Sequence, residues 1–128
     1  TNMTYTNSSK AGQHHSDILQ GLDFYKEELQ RLRERLDEIG AKNTGEEVRK
    51  QLDHFESQFL IQRTNIDQFR HDFNQHFQQL AKESADHAGH VSQQLVAEDQ
   101  SLTANYATLE NVIKELREEF NRFSATWM

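Results

Sequence analysis

The sequence predicts an all-α protein, an elongated antiparallel three-helix bundle that runs up, down and up with coiled-coil-like heptad seams. Three observations predict this fold class. Apolar residues recur at alternating steps of four and three along three long segments, a spacing that places them on one helix face. The 128 residues include no proline, so nothing interrupts long helices. Short turn-like stretches separate the segments, which makes successive helices antiparallel neighbours.

The first segment predicts an arm followed by a helix. Residues 1–12 are polar and aperiodic, which indicates a flexible N-terminal arm. A helix is predicted over about residues 13–39, and one further step back along its apolar seam reaches His15. Gly40 follows the last seam residue and fits a left-handed helix cap. The seam consists of Ile18, Leu22, Tyr25, Leu29, Leu32, Leu36 and Ile39.

The second segment predicts the longest uninterrupted seam, in a helix over about residues 46–83. Thr44 and Glu47 have the spacing of a capping box, which places the helix start just after Thr44. Only Gln62 and His76 are polar among the seam residues. The seam consists of Val48, Leu52, Phe55, Phe59, Gln62, Ile66, Phe69, Phe73, His76 and Leu80.

The third segment predicts a helix over about residues 86–127, with Ser84 or Asp86 as its N-cap. Residues 13–128 are therefore expected to form one bundle. Asp99 is the one charged member of the third seam. That seam consists of Leu95, Asp99, Leu102, Tyr106, Leu109, Ile113, Leu116, Phe120, Phe123 and Trp127.

Composition narrows the class of function. A net charge of -7 is a poor basis for binding nucleic acid, where Lys and Arg supply most of the affinity. No apolar run of about 18 residues appears, so we expect no membrane association and a cytoplasmic protein. Without cysteine there are no disulfides and no thiolate ligands. Because no nucleophile–base constellation and no glycine-rich phosphate loop occur, we expect no enzymatic activity.

The unequal predicted helix lengths indicate an interaction surface. The first helix is predicted to be too short to cover the far end of the hairpin formed by the second and third helices. An apolar surface left bare there needs cover, either from the N-terminal arm or from a second copy. The sequence therefore predicts a protein partner, self or heterologous, and allows a homodimer. The predicted surface consists of Phe73, Phe77, Leu80, Val91 and Leu95.

Two polar interruptions of the seams predict specific contacts. Gln62 is expected level with Tyr25 and Tyr106, and a buried amide without partners costs about 1–3 kcal/mol, so a tyrosine hydroxyl is its expected companion. This layer would set the helix register. His15 and Asp99 are expected at nearly the same height, and the predicted contact is a hydrogen-bonded His15–Asp99 pair.

Histidine is enriched, with seven residues at positions 14, 15, 54, 71, 76, 87 and 90. All but His54 are predicted to lie at one end of the bundle. Helical bundles build metal centres from inward-facing histidines and carboxylates, so a divalent transition metal is one alternative. The spacings argue against it, because His-x-x-x-His does not occur. The candidate ligands are His15, His76 and Asp99, with His71, His87 and His90 near the rim.

The span from His15 to Met128 resembles a known family. The segments that carry the resemblance are residues 22–29, 42–44, 53–59, 66–72, 118–120 and 127–128. They resemble a family of small all-helical proteins of Bacteroidota, about 130 residues long, that has no assigned activity. The resemblance implies an all-helical fold. It departs from hemerythrins, since residues 54–58 read His-Phe-Glu-Ser-Gln, with glutamine where a metal ligand is required.

Three hypotheses for the function follow. The first is a non-enzymatic interaction or scaffold module without a cofactor, which binds itself or a partner through the hairpin end. The second is a metal-binding bundle, hemerythrin- or ferritin-like, that uses the histidine cluster. The third is a pH-responsive bundle in which His15 or His76 gains a proton between about pH 5 and 8.

Overall fold

Three α-helices form an antiparallel up-down-up bundle in the computed structural model, which describes residues 8–128, with side chains from residue 12 onward. Helix α1 spans Ser8–Lys42, α2 spans Glu46–Asp86 and α3 spans Gln93–Trp127. Each helix packs against both of the others. The predicted fold class, an all-α three-helix bundle, is confirmed.

The predicted seams form the core. All ten seam residues of α2 are buried, including the two polar ones. In α1, the seven seam residues from Ile18 to Ile39 are buried as well. The seam of α3 is buried mainly in its second half, where Phe120 meets Phe55 and Phe59 with ring centroids 5.3 and 5.4 Å apart. The alternating four-three pattern therefore identifies the core-facing stripe of each helix.

The first helix is longer at both ends than predicted. Residues 8–12 are helical, whereas the sequence predicted an arm, and residues 1–7 lie outside the described residues. Gly40 lies inside α1, where the methyl groups of Leu52 occupy the space next to it. The end of α1 is held by Asn43, whose side-chain amide donates to the carbonyls of Ile39 (2.9 Å) and Trp127 (3.1 Å).

The start of α2 differs from the predicted capping box. Its N-cap is Gly45, which makes no side-chain capping bond, so Thr44 does not act as the cap. Glu46 and Glu47 lie in the first turn, where negative charge favours a helix N-terminus.

The turn between α2 and α3 is later and longer than predicted. Ala88, the residue after the His87 C-cap, has a left-handed φ of 54°, and Gly89 follows with a φ of 89°. The Gly89 amide donates to the Ser84 carbonyl at 2.7 Å, which closes the end of α2. Ser92 is the N-cap of α3, and its hydroxyl accepts from the Leu95 amide at 3.2 Å. The predicted caps, Ser84 and Asp86, are therefore wrong, because both belong to α2.

Candidate functional site at the histidine end of the bundle

The candidate site lies at the end of the bundle where the α2–α3 turn meets the start of α1. We call Phe73, Phe77, Leu80, Val91 and Leu95 the hairpin tip. Phe73, Leu80 and Leu95 are buried, and the other two are partly buried. The prediction that the first helix is too short to reach this surface is therefore wrong. The physical reason is that α1 lies about one helical turn nearer the tip than predicted, so His14 and His15 line a small void with Phe73, Phe77 and Leu80. The predicted cover by the arm, residues 1–12, lies outside the residues whose side chains are described, apart from Gly12.

His15 is the main described contact between α1 and the hairpin tip. Its ring stacks on Phe77 at a centroid distance of 3.9 Å and lies 5.1 Å from the Phe73 ring. Its Nε2 lies 2.9 Å from Oδ1 of Asn74. The predicted His15–Asp99 pair is therefore wrong, since His15 is one helical turn away from its predicted level on α2 and has other partners.

The partner of Asp99 is His76. Nε2 of His76 lies 3.1 Å from Oδ1 of Asp99, and its Nδ1 lies 3.7 Å from Oε2 of Glu98. The His76 side chain is only 4% exposed, and Nδ1 is buried without a hydrogen-bond partner. A buried polar atom without a hydrogen-bond partner destabilises a fold by about 1–3 kcal/mol. A ligand or a proton bound at Nδ1 would remove this cost, so the His76 ring is a candidate binding site.

Two cavities adjoin His76. The first is a small void of about 30 Å³ next to the hairpin tip. The second opens to solvent between α2 and α3 and has a volume of about 350 Å³. The open cavity is lined by Asp72, Gln75, His76, Gln79, Glu98, Ser101 and Leu102. His76 thus reaches from the interior to a solvent-connected cavity rich in carboxylates and amides.

The other predicted metal ligands lie apart from this site. His71 is exposed on the outside of α2, while His87 and His90 are exposed in the α2–α3 turn. Within residues 8–128, no group of three His, Cys, Asp or Glu side chains is arranged to hold a metal ion. The structure therefore does not gather the six predicted ligands into one centre.

The polar layer around Gln62 forms with different partners. Gln62 is buried, and its Oε1 accepts from Asn65 on the same helix at 3.5 Å. The Tyr25 hydroxyl instead donates to Oε2 of Glu110 at 2.6 Å. The predicted bond from a tyrosine to Gln62 is therefore wrong. Burial and the neighbouring Glu110 carboxylate raise the pKa of Tyr25 well above its usual value. The pKa of Tyr106 is also raised, chiefly by burial.

Sequence reasoning missed the polar contacts that join α1 to α3. Arg117 donates to Glu28 at 2.8 Å, and this hydrogen bond raises the pKa of the Arg117 guanidinium. Arg35 donates to the hydroxyl of Ser124 at 3.0 Å. These residues flank the apolar seams, where charged pairs commonly set helix orientation. Their positions next to the seams could have indicated contacts between helices, but position alone does not specify which acidic residue pairs with which basic residue.

Comparison with protein-family models, curated proteins and solved structures finds no match for this chain. The fold therefore defines the class, which is an all-α three-helix bundle. The resemblance to the Bacteroidota family stays a prediction. No helix in the described part of the chain is long and apolar enough to cross a membrane.

Proposed function

We propose that this protein is a non-enzymatic helical interaction module, and that its hairpin tip binds a basic amphipathic helix of a partner protein. In the unbound state the first turns of α1 cover the tip. The observation that carries the proposal is the mismatch between this polar cover and the aromatic surface beneath it.

The described side chains of the cover that contact the tip are those of His14 and His15. They belong to the first ten residues of α1, 8–17. These residues include Gly12 and three serines but no Val, Ile, Leu, Met, Phe, Tyr or Trp. The first buried apolar residue of α1 is Ile18. Serine and glycine have lower helix propensities than alanine, and a helical segment without an apolar anchor opens at low free-energy cost. We infer that the first turns of α1, which the described contacts hold to the tip chiefly through His15, open more readily than the rest of the helix.

The surface beneath the cover is much more apolar. Phe73, Phe77 and Leu80 lie on α2 and Leu95 lies on α3, and all but Phe77 are buried. Burying one such side chain contributes about 1.5–3 kcal/mol. A helix that inserts two or three large apolar side chains would gain more here than the cover does, which is the helix-in-groove mode of recognition.

The charge around the tip favours a basic partner. Residues 71–99 contain five acidic residues and one lysine. Lys and Arg on the polar face of an incoming helix would complement this charge and speed its association. A second copy would bring the same acidic rim, and like charges would oppose that pairing. We therefore favour a heterologous partner over a homodimer.

A binding experiment with the full chain tests the proposal. The probe is a fluorescent amphipathic peptide of leucine and lysine, titrated with wild-type protein and with His15→Ala, Phe77→Ser and His54→Ala. We expect several-fold tighter binding to His15→Ala, because loosening the cover raises the binding-competent fraction. We expect weaker binding to Phe77→Ser. His54→Ala is the matched control, since His54 is a solvent-exposed α2 histidine beside an aromatic ring and far from the tip.

Equal affinity of all four proteins for the peptide would contradict the proposal. Light scattering over a range of protein concentrations tests the alternative, in which a second copy of the chain occupies the hairpin tip. If His15→Ala dimerises and does not bind the peptide, the tip binds a second copy and the basic partner is wrong.

A further inference from the structure

We infer that Nδ1 of His76 and the carboxylate of Glu98 form a binding site for one divalent transition-metal ion of the zinc class, with Asp99 as a positioning residue. The site lies between α2 and α3 beside the open cavity. It does not depend on the hairpin tip binding a partner, and it uses two α3 carboxylates with a single histidine.

The tautomer of His76 follows from its contact with Asp99. An ionised carboxylate only accepts hydrogen bonds, so the ring nitrogen 3.1 Å away, Nε2, carries the proton. In the neutral ring, Nδ1 then presents a lone pair. A histidine that donates one N–H to a carboxylate while its other nitrogen is free has the arrangement seen in carboxylate–histidine–metal groups.

The geometry around Nδ1 favours a cation. The atom is buried without a partner, and the nearest acidic oxygen, Oε2 of Glu98, is 3.7 Å away. The Glu98 side chain is 45% exposed, so the two electron-rich atoms face each other at the edge of the interior, and a cation between them removes their repulsion. Zinc binds nitrogen and carboxylate oxygen at about 2.0–2.2 Å each, so one ion can contact both atoms across this gap at a wide angle.

The open cavity supplies the remaining coordination positions. No third His, Cys, Asp or Glu side chain within residues 8–128 stands in place. Asp72 precedes His76 by one helical turn and lines the same cavity, and among the described residues its one hydrogen bond comes from Gln68 at 3.0 Å. Rotation of the Asp72 side chain, or water in the cavity, would complete the site, as in zinc sites that keep an open position.

A proton competes with the metal for Nδ1. The protonated ring would donate from Nδ1 toward Glu98 and from Nε2 to Asp99. The groups that face the ring are Glu98 and Asp99 from α3, Asp72 from α2, and His14 and His15 from α1 across the small void. Because metal binding requires the neutral ring, affinity should fall as the pH is lowered.

Zinc titration of the tag-free 128-residue chain by calorimetry tests the inference. The variants are Glu98→Gln, Asp99→Asn and His76→Gln. The matched control is His54→Gln, because His54 forms the same kind of α2–α3 pair with Glu119 at 2.9 Å on the exposed surface. We expect one ion per chain for wild type and His54→Gln. The affinity for zinc should fall about tenfold or more in both Glu98→Gln and Asp99→Asn.

Equal affinity of wild type and Glu98→Gln, or an equal loss in His54→Gln, would mean surface binding only and would overturn the inference. Because His76→Gln can disturb the core, ring nitrogen resonances of the unmodified protein give an independent readout. We expect stoichiometric zinc to shift the His76 Nδ1 resonance while Nε2 keeps its proton. No shift at His76, or a shift at Nε2 alone, would also overturn it.

Discussion

Tyr25 on α1 donates its hydroxyl hydrogen to Glu110 on α3 across 2.6 Å, although the tyrosine ring belongs to the apolar core. Tyr25 is 5% exposed. The bond joins the first and last helices, which the chain does not connect directly. It therefore helps to fix how α3 is placed against α1.

Replacing Tyr25 by phenylalanine should destabilise the fold. The change removes a hydrogen bond to a charged acceptor and leaves the partly buried Glu110 without this donor, so we expect a loss of about 1.5 kcal/mol in the free energy of unfolding. Urea denaturation followed by circular dichroism measures it. Tyr106→Phe is the control, because the described residues give that hydroxyl no hydrogen bond, and it should cost less. Equal losses in the two variants would contradict the role of the Tyr25–Glu110 bond.

The stability conferred by Tyr25 should disappear at alkaline pH. Its pKa in the folded protein is raised by burial and by Glu110, while in the unfolded chain it stays near 10.0. Above that pH the unfolded chain loses the proton and the folded protein keeps it, so the equilibrium moves toward unfolding. The stability of the wild type should therefore be undiminished below pH 10 and should fall above it, more steeply than that of Tyr25→Phe. Parallel pH profiles from pH 8 to 11 would refute this.

Gly21 and Tyr106 should be energetically coupled. A Cβ at Gly21 would overlap the Tyr106 hydroxyl, so Gly21→Ala should destabilise the protein even though alanine favours helix. Removing the hydroxyl with Tyr106→Phe should reduce that cost by about 1 kcal/mol or more. The measurement is a double-mutant cycle of unfolding free energies. A coupling energy near zero would show that the helices adjust freely at this contact.

Gly89 and Gly12 should respond in opposite ways to alanine. Neither has an atom within 4 Å of the position of a new Cβ, so packing does not decide the result. Gly89 has a φ of 89°, and alanine in a left-handed conformation costs about 1–2 kcal/mol. Gly12 lies within α1, where alanine should stabilise by about 0.5–1 kcal/mol. Thermal denaturation of the two variants checks both signs, and a lower melting temperature for Gly12→Ala would contradict the helical assignment at that residue.

The candidate site was only partly predictable from the sequence. Its members His15, His76 and Asp99 were identified from their seam positions, but the pairing of Asp99 with His76 was not. Heights on neighbouring helices were inferred from the predicted turns. α1 continues through Gly40 and α3 begins only at Gln93. Residues on neighbouring helices that lie at the same height are therefore about one helical turn away from the predicted pairs. A shift of that size leaves each seam facing the core and exchanges the polar partners.

The sequence by itself determined that the chain forms three antiparallel helices and which face of each helix is buried. A four-three pattern of apolar residues is a local property, and the hydrophobic effect turns that face inward whatever the neighbour. Only the tertiary structure decided that Asp99 meets His76, that Tyr25 meets Glu110, and that the start of α1 covers the hairpin tip. A hydrogen bond needs its two atoms within about 3 Å, so it depends on the final register of the helices, which the apolar pattern does not specify to better than one turn.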